Sequence, residues 1–99
     1  MLTSTAVIHS SHSAKYLTVL CRHFSRKVTA NWNETEGEVH FPSGVTSLLL
    51  DETKQQLLIQ CHSENQQQLE QQMAIINSHI QMFARREPIT LEWKTHDIA

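Results

Sequence analysis

The chain has 99 residues, of which 39% are hydrophobic and 18% are charged, and its formal net charge is −2. This length fits one domain, residues 1–99, with one modest core, and the composition argues against a disordered chain or a membrane protein. Because ten acidic residues outnumber eight basic ones, the chain lacks the basic excess typical of proteins that bind nucleic acid.

The N-terminal sequence and the cysteines predict a cytoplasmic protein without a membrane partner. The first residues lack the basic and apolar regions of a signal peptide, and no apolar run approaches the roughly 20 residues that cross a bilayer. Cys21 and Cys61 lie in apolar segments and form no Cys-x-x-Cys pair. We therefore expect two buried thiols in a reducing compartment.

The first predicted elements are a strand over residues 3–9 and a helix that ends near Arg26. A serine-rich turn separates them, and Ser11 or Ser13 is the predicted cap of the helix. Four apolar side chains follow at helical spacing and form one stripe: Leu17, Leu20, Cys21 and Phe24.

Residues 28–62 alternate between apolar and polar side chains with the period of two that is typical of strands. Turn-forming residues divide this stretch at 36–37, 42–44 and 51–54. The pattern predicts a four-stranded antiparallel meander.

A second helix is predicted from about residue 64 to Arg86, with Ser63 and Gln66 as a capping box and Glu87-Pro88 as its stop. Its predicted inward face consists of Leu69, Met73, Ile76, Ile80 and Phe83. Its glutamines are predicted to be solvated: Gln66, Gln67, Gln68, Gln71 and Gln72. The alternation of Ile89, Leu91 and Trp93 predicts a last strand.

The resulting order, β-α-β-β-β-β-α-β, predicts an α+β two-layer sandwich with both helices on one face of a mostly antiparallel sheet. The other face is then open. Leu58 points toward it, joined either by Leu49 or by Leu48 and Leu50, depending on the register of the turn at 51–54. An exposed aliphatic patch on a sheet predicts a homodimer through this face.

Two segments resemble the signatures of a bacterial family, domain of unknown function 2218. The first includes Tyr16-Leu17, residues 20–27 and Trp32, and the second includes residues 79–87 and Trp93. Gly37, Phe41 and Gly44 fit the hairpin region between them, and Ser25 stands where the family has glycine. The resemblance implies no activity. It implies a setting in iron acquisition, beside siderophore-interacting proteins.

Seven histidines are a high count for this length, but their spacing predicts no metal site: His9, His12, His23, His40, His62, His79 and His96. Neither helix carries His-x₃-His or His-Glu-x-x-His. We expect no resident cofactor, with haem or iron as the alternative.

His23 and His79 lie in the two signatures, yet we do not expect them to meet within one chain. If the helices are antiparallel, His79 lies about 20 Å along its helix, opposite the start of the first helix. It would then approach His12 or Tyr16 rather than His23.

Basic residues follow both helices, and tryptophans end two strands. Complementarity to the helix dipole and packing at the core rim account for them without a ligand. If a ligand site exists, the candidates are the signature residues that packing does not consume: His23, Arg26, His79, Arg85, Arg86, Trp32 and Trp93. Arginines would suit a ferric siderophore or another anion, since guanidinium binds carboxylates in bidentate fashion.

The sequence shows no nucleophile elbow, glycine-rich phosphate loop or pair of catalytic carboxylates, which favours binding over catalysis. The leading hypothesis is an accessory binding domain in siderophore or iron utilisation. A histidine-ligated haem or metal protein and a structural dimerisation module without a small-molecule ligand are the alternatives.

Overall fold

The structure, a computed structural model, describes residues 1–85 and 87–97. Its elements follow the predicted order, and their bounds are β1 (Leu2–His9), α1 (Ser13–Phe24), β2 (Thr29–Trp32), β3 (Glu36–Phe41), β4 (Gly44–Asp51), β5 (Gln56–Ser63), α2 (Gln66–Phe83) and β6 (Lys94–Asp97). No helix within these residues is long and apolar enough to span a membrane.

The six strands form one antiparallel sheet in the order β2-β3-β4-β5-β1-β6. The predicted meander is therefore confirmed, with β1 added beside β5 and β6 at the edge. Its first turn lies at 33–35 rather than at 36–37, because residues 36 and 37 already belong to β3. Both helices pack on one face, so the predicted α+β sandwich is correct. Alternate strand residues such as Ile8, Leu57 and Ile59 are buried beneath the helices, together with Leu17, Leu20, Ile76 and Ile80 of the helices themselves. Met73 and Phe83 are only partly buried.

The register of the β4–β5 hairpin decides which leucine joins Leu58 on the open face. Asp51 pairs with Gln56 across a four-residue loop, so Leu49 lies opposite Leu58. Leu48 and Leu50 point to the helices and are buried, whereas Leu49 is 50% exposed. The alternative with Leu49 is therefore the correct one.

A close approach of α1 to β3 explains the glycine at position 37. A Cβ atom added there would lie 2.7 Å from Cys21 Sγ and 3.2 Å from Leu17 Cδ1. Cys21 and Cys61 are both free and buried, as predicted, and burial raises the pKa of each thiol to about 11.

Both helix starts differ from the sequence prediction. At α2 the cap is Asn65, whose side chain accepts from the backbone N–H of Gln68 at 2.9 Å. Ser63 cannot cap because it is the last residue of β5, and its hydroxyl donates to the Ser43 carbonyl. At α1 no side chain caps the helix, and Ser13 instead donates its hydroxyl to the Ser10 carbonyl. The helices also end earlier than predicted, at Phe24 and Phe83.

Gln72 is fully buried, so its predicted solvation is wrong. Its amide oxygen accepts from Thr46 Oγ1 at 2.8 Å, and its amide nitrogen donates to the His62 carbonyl at 2.8 Å and to Ser63 Oγ. A polar side chain on an inward helix position is tolerated here because the ends of β4 and β5 supply partners for both its amide atoms.

The predicted last strand is displaced along the chain. Residues 89–93 alternate in burial as predicted, but they make no ladder, and β6 begins only at Lys94, which pairs with Thr5. The segment is held by α2 instead, since Gln81 donates to the Ile89 carbonyl and Trp93 Nε1 donates to Asn77 Oδ1 at 3.0 Å. Alternation therefore marked an extended segment over the core rather than a strand of the sheet.

Candidate functional site

A cleft of about 570 Å³ lies between the start of α1 and the end of α2. Its lining residues are His12, Lys15, Tyr16, Phe83, Ala84, Arg85 and Glu87. The cleft forms because α2 ends at Phe83, and the chain then turns across the first turns of α1. Its volume lies within the range of small-molecule sites, roughly 300–1,000 Å³.

Glu87 joins the two walls of the cleft. Its Oε2 atom accepts from the Tyr16 hydroxyl at 2.6 Å and from His12 Nδ1 at 2.8 Å. The hydrogen bonds from Tyr16 and His12 lower the pKa of Glu87 to about 2. Burial, together with the carboxylate of Glu87, raises the pKa of Tyr16 to about 12. Glu87 is thus an ionised carboxylate whose charge is already engaged by the protein.

Two cations line the same cleft, Lys15 from α1 and Arg85 from the segment that follows α2. Both residues are exposed, and neither forms an ion pair with a carboxylate among residues 1–85 and 87–97. Among the described lining residues these two cations outnumber the one ionised carboxylate, Glu87, so the cleft carries a net positive charge.

A histidine pair lies beyond Phe83, at the crossing of the two helices. His23 Nε2 and His79 Nε2 are 3.1 Å apart, and His79 Nδ1 is 2.7 Å from the Ile75 carbonyl. Since a carbonyl only accepts, His79 carries its proton on Nδ1, and in the neutral pair its Nε2 accepts from the Nε2–H of His23. Burial holds the pKa of His23 below its ordinary value, and the positive charges of Arg26 and Lys27 and any charge on His79 act in the same direction.

This contact contradicts the expectation that His23 and His79 lie apart. The expected distance of about 20 Å was counted along α2 from its first residue, as if that residue were level with the end of β5. In the structure it is Gln72, in the second turn of α2, that hydrogen-bonds to the end of β5. His79 therefore lies only about 10 Å beyond that level, not 20 Å. Phe24 of α1 packs on Phe41 at this end of the sheet, which brings the last turn of α1 level with His79.

Phe83 connects the histidine pair with the cleft. Its ring centroid is 5.5 Å from that of His23 and 6.2 Å from that of His79, and the same side chain lines the cleft. His23, His79 and Arg85 therefore lie along one groove between the two helices. Arg26 follows α1 next to the pair.

The other predicted site residues do not join this groove. Trp32 is 37% exposed and lines a separate cavity beside Gly37. Trp93 is half-buried, and its Nε1–H donates a hydrogen bond to Asn77 Oδ1. Arg86 lies outside the described residues.

Sequence reasoning missed Lys15, Tyr16 and Glu87 as members of the site. A signal was present, because Tyr16 opens the first signature and Glu87 closes the second. Tyr16 was interpreted as a packing residue and Glu87 as part of the helix stop, so nothing indicated that the two side chains contact each other. Among the residues that the structure describes, no group of three or more His, Cys, Asp and Glu side chains could hold a metal ion.

Comparison with known proteins gives a family and a fold. The sequence model of a family described as "Uncharacterized protein conserved in bacteria (DUF2218)" matches residues 5–94. The chain is similar to the NMR structure of PA4090 from Pseudomonas aeruginosa, with a TM-score of 0.78 and 22% identity, over 95% of this chain and 96% of that one. No curated protein matches the chain.

Proposed function

The chain belongs to the uncharacterised bacterial family DUF2218, and we propose that it is an accessory binding domain that takes an anionic small molecule in the cleft between α1 and α2. The observation that carries this proposal is that Lys15 of α1 and Arg85, which follows α2, both line a ligand-sized cleft. Among the described residues, Lys15 and Arg85 give the cleft two positive charges against the one negative charge of Glu87, so the balance that an anion meets is positive.

The aromatic wall of the cleft narrows the class of ligand. The rings of Tyr16 and Phe83 line it beside Lys15 and Arg85. Tyr16 is only 5% exposed, so a flat, negatively charged molecule would stack on the partly buried ring of Phe83. It would place its oxygens on the guanidinium of Arg85, which binds carboxylate-like groups in bidentate fashion. Ferric catecholate siderophores offer aromatic rings and negative charge, whereas ferric carboxylate siderophores offer negative charge and carboxylate oxygens. Both classes fit the iron-acquisition setting that the signatures imply. In this proposal the domain works in the cytoplasm, with a siderophore-interacting protein as its partner.

Isothermal titration calorimetry tests the proposal with a ferric catecholate and a ferric carboxylate siderophore as probes. Arg85→Gln and Lys15→Gln should each weaken binding about tenfold or more, because each removes a charge-assisted hydrogen bond. Arg22→Gln is the matched control, since Arg22 is an exposed cation on α1 that does not line the cleft. The proposal fails if neither probe binds or if the Arg22 variant weakens binding equally.

The histidine pair favours a second candidate function, metal binding. Two imidazole nitrogens on one tetrahedral ion are about 3.3 Å apart, close to the 3.1 Å between the two Nε2 atoms. The Ile75 carbonyl orients His79 through Nδ1, as partners beyond the ligand shell commonly do for metal-binding histidines. This candidate ranks second because two ligands are fewer than the three or four that dedicated sites use.

Titration with Zn²⁺ and with haem separates this second candidate from the first. If it is correct, Zn²⁺ raises the Tm or haem gives a Soret band, and His79→Asn removes the effect while His62→Asn, on the open face of the sheet, keeps it. If neither probe changes the protein, the histidine pair is a hydrogen-bonded contact between helices.

A further inference from the structure

The face of the sheet opposite the helices carries an apolar row across its centre. Val7 pairs with Leu58, and Leu58 pairs with Leu49, so the three side chains lie side by side on β1, β5 and β4. Leu49 is half-exposed, and Val7 and Leu58 are partly exposed. Within the described residues both helices lie on the other face and leave this row without a covering element.

The area of this face matches what a stable interface needs. The 38 strand residues, at about 3.4 Å along each strand and about 4.8 Å between strands, give roughly 620 Å². A standard protein–protein interface buries about 800 Å² on each partner. A second sheet of the same dimensions would therefore cover the whole face.

The neighbouring row carries an acidic residue near one end and a lysine at the other. This row runs through Asn31, Glu38, Ser47, Gln60, Thr5 and Lys94. Glu38 lies on β3 near one edge, where His40 Nε2 is 2.6 Å from its carboxylate and Glu36 adds a second acid. Lys94 lies on β6 at the other edge, in a cavity that it shares with Glu92, His9 and His96. The face is thus acidic on one side and carries its lysine on the other.

We propose that a second copy of the chain covers this face, related by a two-fold axis that runs parallel to the strands between β4 and β5. Such an axis exchanges β4 with β5 and β3 with β1. Leu49 then lies over the partner's Leu58 and Leu58 over the partner's Leu49, which buries four leucines at the axis. The same rotation brings Glu38 over the partner's Thr5, within reach of the partner's Lys94. Self-complementarity of this kind is what a two-fold interface requires.

The proposal concerns the face opposite the ligand cleft, and its test does not depend on ligand binding. Sedimentation equilibrium at high micromolar concentration and low salt should give the mass of a dimer. Leu58→Lys and Leu49→Lys should each raise the dimer Kd by about a hundredfold, because each places an unpaired charge at the centre of the interface. Gln67→Lys adds the same charge at an exposed position of α2 and should leave the Kd unchanged.

A charge reversal tests the axis itself. Glu38→Lys alone and Lys94→Glu alone should each weaken the dimer about tenfold, and the double variant should recover most of the loss. Circular dichroism checks that each variant is folded. A monomeric mass for the unaltered chain, or a dimer indifferent to both leucine variants, overturns the proposal. If the double variant does not recover dimer affinity, the proposed position of the two-fold axis is wrong.

Discussion

Gln72 is a buried residue of α2 whose side chain hydrogen-bonds to the ends of β4 and β5. Replacing it with alanine leaves Thr46 Oγ1 and the His62 carbonyl without their amide partner, whereas Ser63 Oγ keeps its bond to the Ser43 carbonyl. Each buried polar group left unpaired costs about 1–3 kcal/mol. We therefore expect Gln72→Ala to lower the free energy of unfolding by about 2–4 kcal/mol in urea denaturation.

Gln71 provides the matched control for this prediction, because it is the exposed neighbour of Gln72 on the same helix. Gln71→Ala should change the free energy of unfolding by less than about 0.5 kcal/mol. Equal losses of unfolding free energy in the two variants would mean that the side-chain hydrogen bonds of Gln72 do not contribute to stability.

His23 gives the stability of the protein a defined pH dependence. Its pKa is lower in the folded protein than its ordinary value of 6.5. Below that pH the unfolded chain binds the proton more readily than the folded one, so the free energy of unfolding falls as the solution is acidified. The loss begins near pH 6.5 and continues until the folded pKa is reached.

Denaturation curves of the unaltered chain and of His23→Gln, measured from neutral to mildly acidic pH, test this sign. The unaltered chain should lose stability relative to the variant on acidification. A relative gain would show instead that the histidine pair holds an added proton between its two Nε2 atoms.

At the scale of elements, the segment after α2 is fixed by the hydrogen bonds of Glu87 to α1. Because these bonds favour the ionised carboxylate, the stability that they contribute is present above the ordinary pKa of 4.5 and is lost as the pH falls toward 2. Carboxyl ¹³C NMR should show Glu87 titrating near pH 2.

Tyr16→Phe removes the largest of these effects on Glu87, so the carboxyl pKa should rise toward its ordinary value. Gln81→Ala, which alters only the bond from α2 to the Ile89 carbonyl, should leave that pKa unchanged. An ordinary pKa for Glu87 in the unaltered chain would mean that the segment is not held against α1 in solution.

At the scale of the whole molecule, the fold follows from hydrophobic periodicity. The period of two over residues 28–62 and the stripes of Leu17, Leu20, Ile76 and Ile80 were enough to predict the two layers, because burial of these side chains dominates the stability. The position of the last strand was not predictable, since residues 89–93, an extended segment packed against the core, alternate in burial in the same way as a strand.

The site could be predicted only in part, because its geometry depends on contacts between distant residues. Tyr16 and Glu87 are 71 positions apart, and no local pattern pairs them. The meeting of His23 and His79 depends on where α2 lies against the sheet, which Gln72 sets through its bonds to β4 and β5. A glutamine within a polar run gave no sign of that role.

The most direct test of the proposed function is a map of ligand-induced shifts in the ¹⁵N–¹H spectrum. With a ferric siderophore replaced by its diamagnetic gallium complex, the amides of Lys15, Phe83 and Arg85 should shift most, followed by those of His23 and His79. The amides of Leu49 and Leu58, on the opposite face, should not shift. Shifts confined to the open face of the sheet, or no shifts with either class of siderophore, would contradict an anion-binding cleft between α1 and α2.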